Sequence, residues 1–263
     1  MHPILFKVGS LTIHTYGVIL AIALLAATVV ASREAKRLGM PQGEFYDLCF
    51  YVIVASLVGA RLLFVILEPR MFFSQPLEIF KIWHGGLDFH GGLILAVLVV
   101  LFVVRRRGWA WGSALDALAL GLPLGQGIGR IGCFMSGDSF GIPTHVPWAV
   151  TFTDPNSLAP LGIPLHPTQL YMSFLGLAIF GGLYWFRTRK RYRGQVALLY
   201  LFLASLGRFV IEFYRSPLDY RGPVFFGWMP LTQLIALILF VVSGSLLLYL
   251  SLKHQPQPQP QQH

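Results

Sequence analysis

Seven stretches of this chain are long and apolar enough to cross a bilayer, and that feature excludes most folds at once. A span needs about 20 predominantly apolar residues. Six stretches qualify directly, over residues 11–32, 45–67, 87–104, 169–186, 195–213 and 229–252. A seventh, over 111–131, is interrupted by Gly121, Pro123, Gly125, Gly127 and Gly129, yet a loop of that hydrophobicity has no place outside the lipid. Only 12% of the 263 residues are charged and 55% are hydrophobic, about half the charge of a soluble domain. The expected fold class is an all-α membrane protein of seven transmembrane helices. It forms one membrane domain over 1–253, followed by a Gln- and Pro-rich tail, 254–263, that has nothing to bury and reads as disordered.

The basic residues orient the array, because Lys and Arg gather in short cytoplasmic loops. Seven alternating spans put Arg33, Lys36 and Arg37, then Arg105, Arg106 and Arg107, then Arg187, Arg189, Lys190, Arg191 and Arg193, and finally Lys253 on one side; these are twelve of the 20 basic residues. The N-terminus is thus expected outside and the C-terminus inside, with the long polar connections 68–86 and 132–168 outside. The first span is expected to stay as an anchor, since no basic region precedes it and Arg33, Lys36 and Arg37 stop it. The net charge of +9 is accounted for by these clusters beside anionic lipid, so no nucleic-acid partner is expected. Cys49 and Cys133, the two cysteines, are expected as unpaired thiols.

An ionised side chain inside a span costs at least about 2.5 kcal/mol and marks a functional site by default. Arg61 follows Gly59 and Ala60 on the second span, Arg130 ends the Gly-rich fourth, and Arg208, Glu212 and Arg215 share one face of the sixth at i, i+4 and i+7. Ion pairing explains part of this set: Arg208 with Glu212, or Arg61 with Asp116. It leaves surplus guanidinium, whose planar fork matches phosphate oxygens, and the anion available at that depth is a phospholipid headgroup. If the fourth segment is broken, its freed N–H groups add donors for that phosphate.

Other elements are weaker alone. His84-Gly85-Gly86-Leu87 is repeated as His90-Gly91-Gly92-Leu93, and a histidine at the mouth of a span serves as a general base or as an interfacial polar group. Gly137-Asp138-Ser139-Phe140-Gly141 matches the Gly-x-Ser-x-Gly nucleophile elbow, but that motif needs a strand before it and a helix after it. His166-Pro167-Thr168-Gln169-Leu170-Tyr171 carries a helix cap together with three hydrogen-bonding groups at the interface. Tyr16 opens the first span.

Tyr16-Gly17, His90-Gly91-Gly92, Gly129-Arg130 with Gly137 and Gly141, His166 to Tyr171, and Glu212-Phe213-Tyr214-Arg215 occur in an order and spacing that resemble the prolipoprotein diacylglyceryl transferase family over nearly the whole chain. The resemblance implies a bacterial inner-membrane enzyme with periplasmic chemistry and a periplasmic N-terminus. It further implies transfer of a diacylglyceryl group from phosphatidylglycerol to the lipobox cysteine of a lipoprotein precursor, with release of glycerol phosphate and no metal or organic cofactor. Carried onto these positions, it makes His90, Arg130 and Arg215 catalytic. Tyr16, Gly91, Gly92, Asp138, Gly141, His166, Gln169, Tyr171 and Glu212 become substrate-binding, and the charges inside the spans add Arg61 and Arg208 to that set. Many members read Gly-Arg-x-Gly-Asn-Phe-x-Asn-Gly-Glu where this chain has Cys133, Ser136 and Asp138 in place of the two Asn and the Glu, and Met172 stands where a Glu follows the Tyr. The arginines survive while their polar surroundings change. The competing class is a phospholipid-binding transporter or flippase, which needs the arginines but not His90.

Overall fold

The structure is a computed structural model that describes residues 2–8, 11–69, 72, 76–80, 85–218, 224–225, 227 and 229–253. The tail expected to be disordered and His84 of the first His-Gly-Gly element lie outside the described residues. Among the described residues, seven helices are long and apolar enough to cross a membrane: α1 (Thr15–Arg37), α2 (Gln42–Leu67), α3 (Phe89–Arg107), α4 (Trp111–Ser136), α5 (Thr168–Phe186), α6 (Gln195–Glu212) and α7 (Leu231–Lys253). Three two-stranded antiparallel ribbons accompany them: β1 (Ile4–Val8) with β2 (Leu11–His14), β3 (Val150–Thr151) with β4 (Pro164–Leu165), and β5 (Val224–Phe225) with β6 (Met229–Pro230). The first ribbon takes residues 11–14, which the hydropathy pattern assigned to the first span, so α1 starts at Thr15. Large apolar side chains such as Leu25, Phe50, Ile66 and Phe174 stay exposed, as lipid-facing helices require.

The chain gathers into two compact units, residues 32–114 forming one and residues 1–31 with 115–263 the other. In the smaller unit α2 packs on α3 through glycines. A Cβ on Gly91 would lie 2.3 Å from the Gly59 carbonyl oxygen, one on Gly59 would lie 2.4 Å from that of Gly91, and one on Gly92 would lie 2.8 Å from that of Ser56. The two backbones touch, which is the small-residue packing that holds helices together in lipid, where no hydrophobic driving force separates helix from solvent.

In the larger unit the fourth span departs from the expectation. Despite five interrupting residues, α4 is one continuous helix with Pro123 inside it, so it does not present the freed N–H groups that a broken segment would. Its glycines serve close packing instead. A Cβ on Gly121 would meet the Ala27 carbonyl oxygen of α1 at 2.4 Å, and one on Gly127 would meet Leu177 and the Ser173 carbonyl of α5. Facing it, Gly176 of α5 lies against the Pro123 carbonyl, and Ser173 Oγ donates to the Gly127 carbonyl at 2.7 Å. Helical hydrogen bonds inside a bilayer have no water to replace them, and the neighbouring backbones offset the entropy that glycine costs. Leu120, Ile179, Leu183, Val196 and Tyr200 form the core among α4, α5 and α6. Phe202 stacks on Phe240 at 4.7 Å between α6 and α7.

Asp116, fully buried on α4, accepts Lys190 Nζ at 2.6 Å and the backbone N–H groups of Gly194 and Ala197 at 2.9 Å each. It therefore anchors the basic α5–α6 turn, and the pairing with Arg61 that the sequence allowed is not its role.

Candidate functional site

The larger unit brings together the C-terminal end of α4, the start of α1, the start of α5 and the segment after α6. Where α4 ends, Gly137 (φ 78°) and then Ser139 (φ 58°) take left-handed backbone conformations, which turn the chain sharply under the following loop. A Cβ on Gly137 would sit 2.1 Å from Ser157 Oγ, so only glycine fits. The turn is held from α5: Gln169 Nε2 donates to the Asp138 carbonyl and Thr168 Oγ1 to the Ser139 carbonyl, both at 2.7 Å. Ser139 is thus preceded by a helix and leads into an irregular loop, without the strand–turn–helix setting of a nucleophile elbow.

Gly141 is the junction of three segments. Its N–H donates to the His166 carbonyl at 3.1 Å, Ile142 N–H to the Tyr214 carbonyl at 2.9 Å, His166 N–H to the Ile142 carbonyl at 3.0 Å, and Ser216 N–H to the Phe140 carbonyl at 3.1 Å. Gly141 and Arg215 form an isolated antiparallel bridge. A Cβ on Gly141 would stand 2.4 Å from the His166 carbonyl oxygen and 2.8 Å from that of Tyr214. The sequence placed Arg215 on one helical face with Arg208 and Glu212; α6 instead ends at Glu212, and strand-like pairing with Gly141 positions Arg215. Glu212 Oε2 receives Arg208 at 2.9 Å and Arg215 at 3.5 Å, while Thr232 Oγ1 donates to Oε1 at 3.1 Å. Glu212 is 1% exposed and Arg215 7%, so this carboxylate balances two guanidinium groups in an environment that strengthens both contacts.

Arg130 behaves differently. It lies within hydrogen-bonding reach of the Cys133 thiol one turn on, with the Asp138 carboxyl in electrostatic range of that thiol. The Tyr16 phenol lies in range of Arg130, Cys133 and Asp138. Packing brings it there, because Gly132 leaves room for the Tyr16 ring, 3.2 Å from where a Cβ would be. Among the described residues no carboxylate comes within ion-pairing distance of Arg130.

Beside this cluster His166 Nδ1 meets Tyr171 OH at 3.0 Å, and Trp148 Nε1 donates to the same oxygen at 2.8 Å. The His166 and Tyr214 rings lie edge to face with centroids 5.2 Å apart. The loop between Gly137 and Pro167 has a small core of its own from Phe140, Phe152, Ala159 and Leu165. Within it the Asp154 carboxyl is held below its ordinary range by the backbone and side-chain N–H groups of Asn156. Trp148 and Ser173 were not singled out in the sequence, and Thr168, expected as a helix cap, is instead the first residue of α5 and donates to Ser139; these roles depend on partners 23, 46 and 29 residues away.

The remaining candidates belong to the smaller unit. Arg61 donates Nε–H to the Ile79 carbonyl at 3.0 Å, Nη1 to those of Gly85 at 2.7 Å and Gly86 at 2.9 Å, and Nη2 to that of Glu78. It also lies 5.1 Å from the Phe72 ring centroid. Gly85 and Gly86 have φ of 83° and 71°, and a Cβ on Gly86 would strike Phe64 at 2.4 Å and Arg61 Nη1 at 2.8 Å. The two similar His-Gly-Gly elements therefore differ in use: the first glycine pair aims carbonyls at Arg61, and the second, Gly91 and Gly92, lets α3 approach α2. Arg61, expected to hold substrate, holds its own loop. His90 stands exposed at the start of α3. Asp88, which the sequence reading passed over, caps that helix by accepting from His90 N–H at 2.8 Å and Gly91 N–H at 3.2 Å. An Asp two positions before a His-Gly-Gly helix start was the available signal.

Seven helices long and apolar enough to cross a membrane define a multi-pass membrane protein, whose larger unit carries an arginine, a tyrosine and a thiol together near the end of α4. The family model for prolipoprotein diacylglyceryl transferase matches residues 3–249, and the chain belongs to that family. It is 35% identical over 252 residues to a protein of Bordetella avium, covering 94% of this chain and 93% of the relative. It is likewise 35% identical to proteins of Nitratidesulfovibrio vulgaris (94% and 92% covered) and Coxiella burnetii (92% of each). All three relatives are named phosphatidylglycerol–prolipoprotein diacylglyceryl transferase.

Proposed function

We propose that this protein transfers the diacylglyceryl group of phosphatidylglycerol to the cysteine thiol of lipoprotein precursors, the first step of bacterial lipoprotein maturation. The thiol sulfur attacks a glycerol carbon, a thioether C–S bond forms, the C–O bond to phosphate breaks, and glycerol phosphate leaves with the bonding pair. The thiol proton goes to a base. A phosphodiester with one negative charge becomes a phosphomonoester with two, so charge grows on the leaving group as the bond breaks. A cation fixed beforehand beside that oxygen favours the transition state over the ground state.

The observation that carries this reading is Arg130, a guanidinium without a carboxylate partner among the described residues, grouped with Tyr16, Cys133 and Asp138 at the end of an apolar helix. Arg215 supplies a second cation, with Glu212 and Arg208 fixing its position, and Gly141 holds Arg215 to His166 through backbone pairing. The resemblance assigns His90 as the proton acceptor, and its exposed imidazole suits that role. Tyr16 and Asp138 position substrate; Gln169, His166 and Tyr171 shape the turn and ring cluster next to them.

The protein sits in the inner membrane with its site toward the periplasm and its C-terminus in the cytoplasm. Support comes from the basic clusters at 33–37, 105–107 and 187–193, which fall at alternate helix ends, opposite to Tyr16, Arg130, His166 and Arg215. A two-chain lipid must enter sideways between helices, and the folded loop 137–167 lies over the larger unit's polar cluster. Trapping the precursor only on the cytoplasmic loops by cross-linking refutes this orientation.

Purified protein in detergent, labelled phosphatidylglycerol and a peptide bearing a lipobox cysteine test the activity. The expected result is glycerol phosphate released in proportion to lipidated peptide, and about 10²–10³-fold more slowly from Arg130→Ala. Folded protein that binds the lipid without ever transferring it overturns the proposal in favour of a binding or transport role.

A further inference from the structure

We infer that Asp88 is a positioning residue for His90, which holds the imidazole so that Nε2 faces outward as a proton acceptor; this rests on the reading of His90 as the base. Asp88 is fixed on three sides. Its N–H donates to the Ala60 carbonyl at 2.9 Å, its side chain caps α3 through the His90 and Gly91 N–H groups, and its Oδ1 lies 3.5 Å from His90 Nδ1. Ala60 precedes Arg61, whose guanidinium holds the Glu78, Ile79, Gly85 and Gly86 carbonyls, so the segment leading into Asp88 is pinned from both ends. The His90 side chain is 56% exposed and that of Asp88 only 25%. The carboxylate is thus sheltered behind an open imidazole.

Ser, Thr or Asn would also cap this helix. Only Asp adds a negative charge facing Nδ1. A neutral imidazole carries one proton, and a base that accepts at Nε2 needs that proton at Nδ1. The Asp88 charge favours that tautomer and stabilises the imidazolium formed when Nε2 takes the thiol proton. A 3.5 Å contact is longer than a hydrogen bond, as catalytic contacts often are before substrate arrives.

The transfer assay separates capping from orientation. Asp88→Asn and Asp88→Ser keep a cap, so both are expected to melt with the wild type and keep its KM for phosphatidylglycerol while kcat falls about tenfold, below the 10²–10⁴ of a complete general base. Asp88→Ala is expected to lose thermal stability as well. In a His90→Ala background, Asp88→Asn is expected to change kcat no further. Wild-type kcat in Asp88→Asn and Asp88→Ser overturns the inference, as does a further tenfold loss in the double variant. If His90→Ala itself turns over normally, the base assignment falls and takes this inference with it. If His90→Ala is inactive while Asp88→Asn is not, only this inference falls.

Discussion

Arg61 and Arg130 each lie on an apolar helix directly after or near glycine, and each is a charge that lipid penalises. Arg61 directs its donors at the carbonyl oxygens of Glu78, Ile79, Gly85 and Gly86 and is 7% exposed. Arg130 has the Cys133 thiol as its neighbour and no carboxylate within ion-pairing distance among the described residues. The difference teaches that a cation on an apolar helix can be spent on the protein's own carbonyls, as Arg61 is, or be left beside a thiol, as Arg130 is. A guanidinium already surrounded by carbonyls is a structural clamp with nothing left to give a phosphate except one N–H.

Removing Arg130 should break the comparison most visibly. Arg130→Ala is expected to lower kcat by about 10²–10³-fold, the range for one lost charge-stabilising donor, with thermal stability within about 1 kcal/mol of wild type; turnover and melting of the same preparation check both. Equal stability loss in Arg130→Ala and Arg61→Ala would erase the distinction. Arg61→Ala is expected to destabilise the smaller unit by about 3 kcal/mol, since carbonyls are left without their donor, and the fraction still folded at low temperature should keep the wild-type KM for phosphatidylglycerol. A raised KM there would instead return Arg61 to the substrate. Gly86→Ala sharpens the same point with less effect. Its left-handed φ and the short approach to Phe64 and Arg61 predict about 1–2 kcal/mol, seen as a lowered melting temperature with intact chemistry.

The smallest effect is expected in the loop that follows α4. The folded-state carboxyl of Asp154 titrates below its ordinary value of 3.8, so its support of the loop is present above that value and is lost as pH falls below it. Asp154→Ala should therefore raise proteolytic nicking of the loop slightly at neutral pH. Protease susceptibility of wild type and variant should converge in acid, and turnover at neutral pH should not change.

The seven spans were legible because apolar length alone decides membrane insertion, and six of them needed no knowledge of neighbours. The start of α1 was misplaced since Leu11 and Ile13 run on into the apolar stretch that follows, yet Leu11–His14 pairs with β1 as a strand. Glycines and Pro123 in α4 read as a break because local propensity penalises them; packing against Ala27 and Ser173 overrides that penalty. The charged residues on the spans were legible too, as charges in lipid are conspicuous. Asp88 was not, since a loop carboxylate before a helix looks like ordinary capping until its distance to His90 is known.

By itself the sequence determined the membrane class, the number of spans and the order of the motifs, because these follow from transfer free energy along a one-dimensional chain. Only the tertiary structure decided which arginine clamps carbonyls and which stays open, that Gly141 joins His166 to Arg215, and that one carboxylate serves Arg208 and Arg215 together. Those outcomes depend on which donors and acceptors meet across tens of residues, and in lipid, where water cannot substitute, each meeting settles where a charge is held.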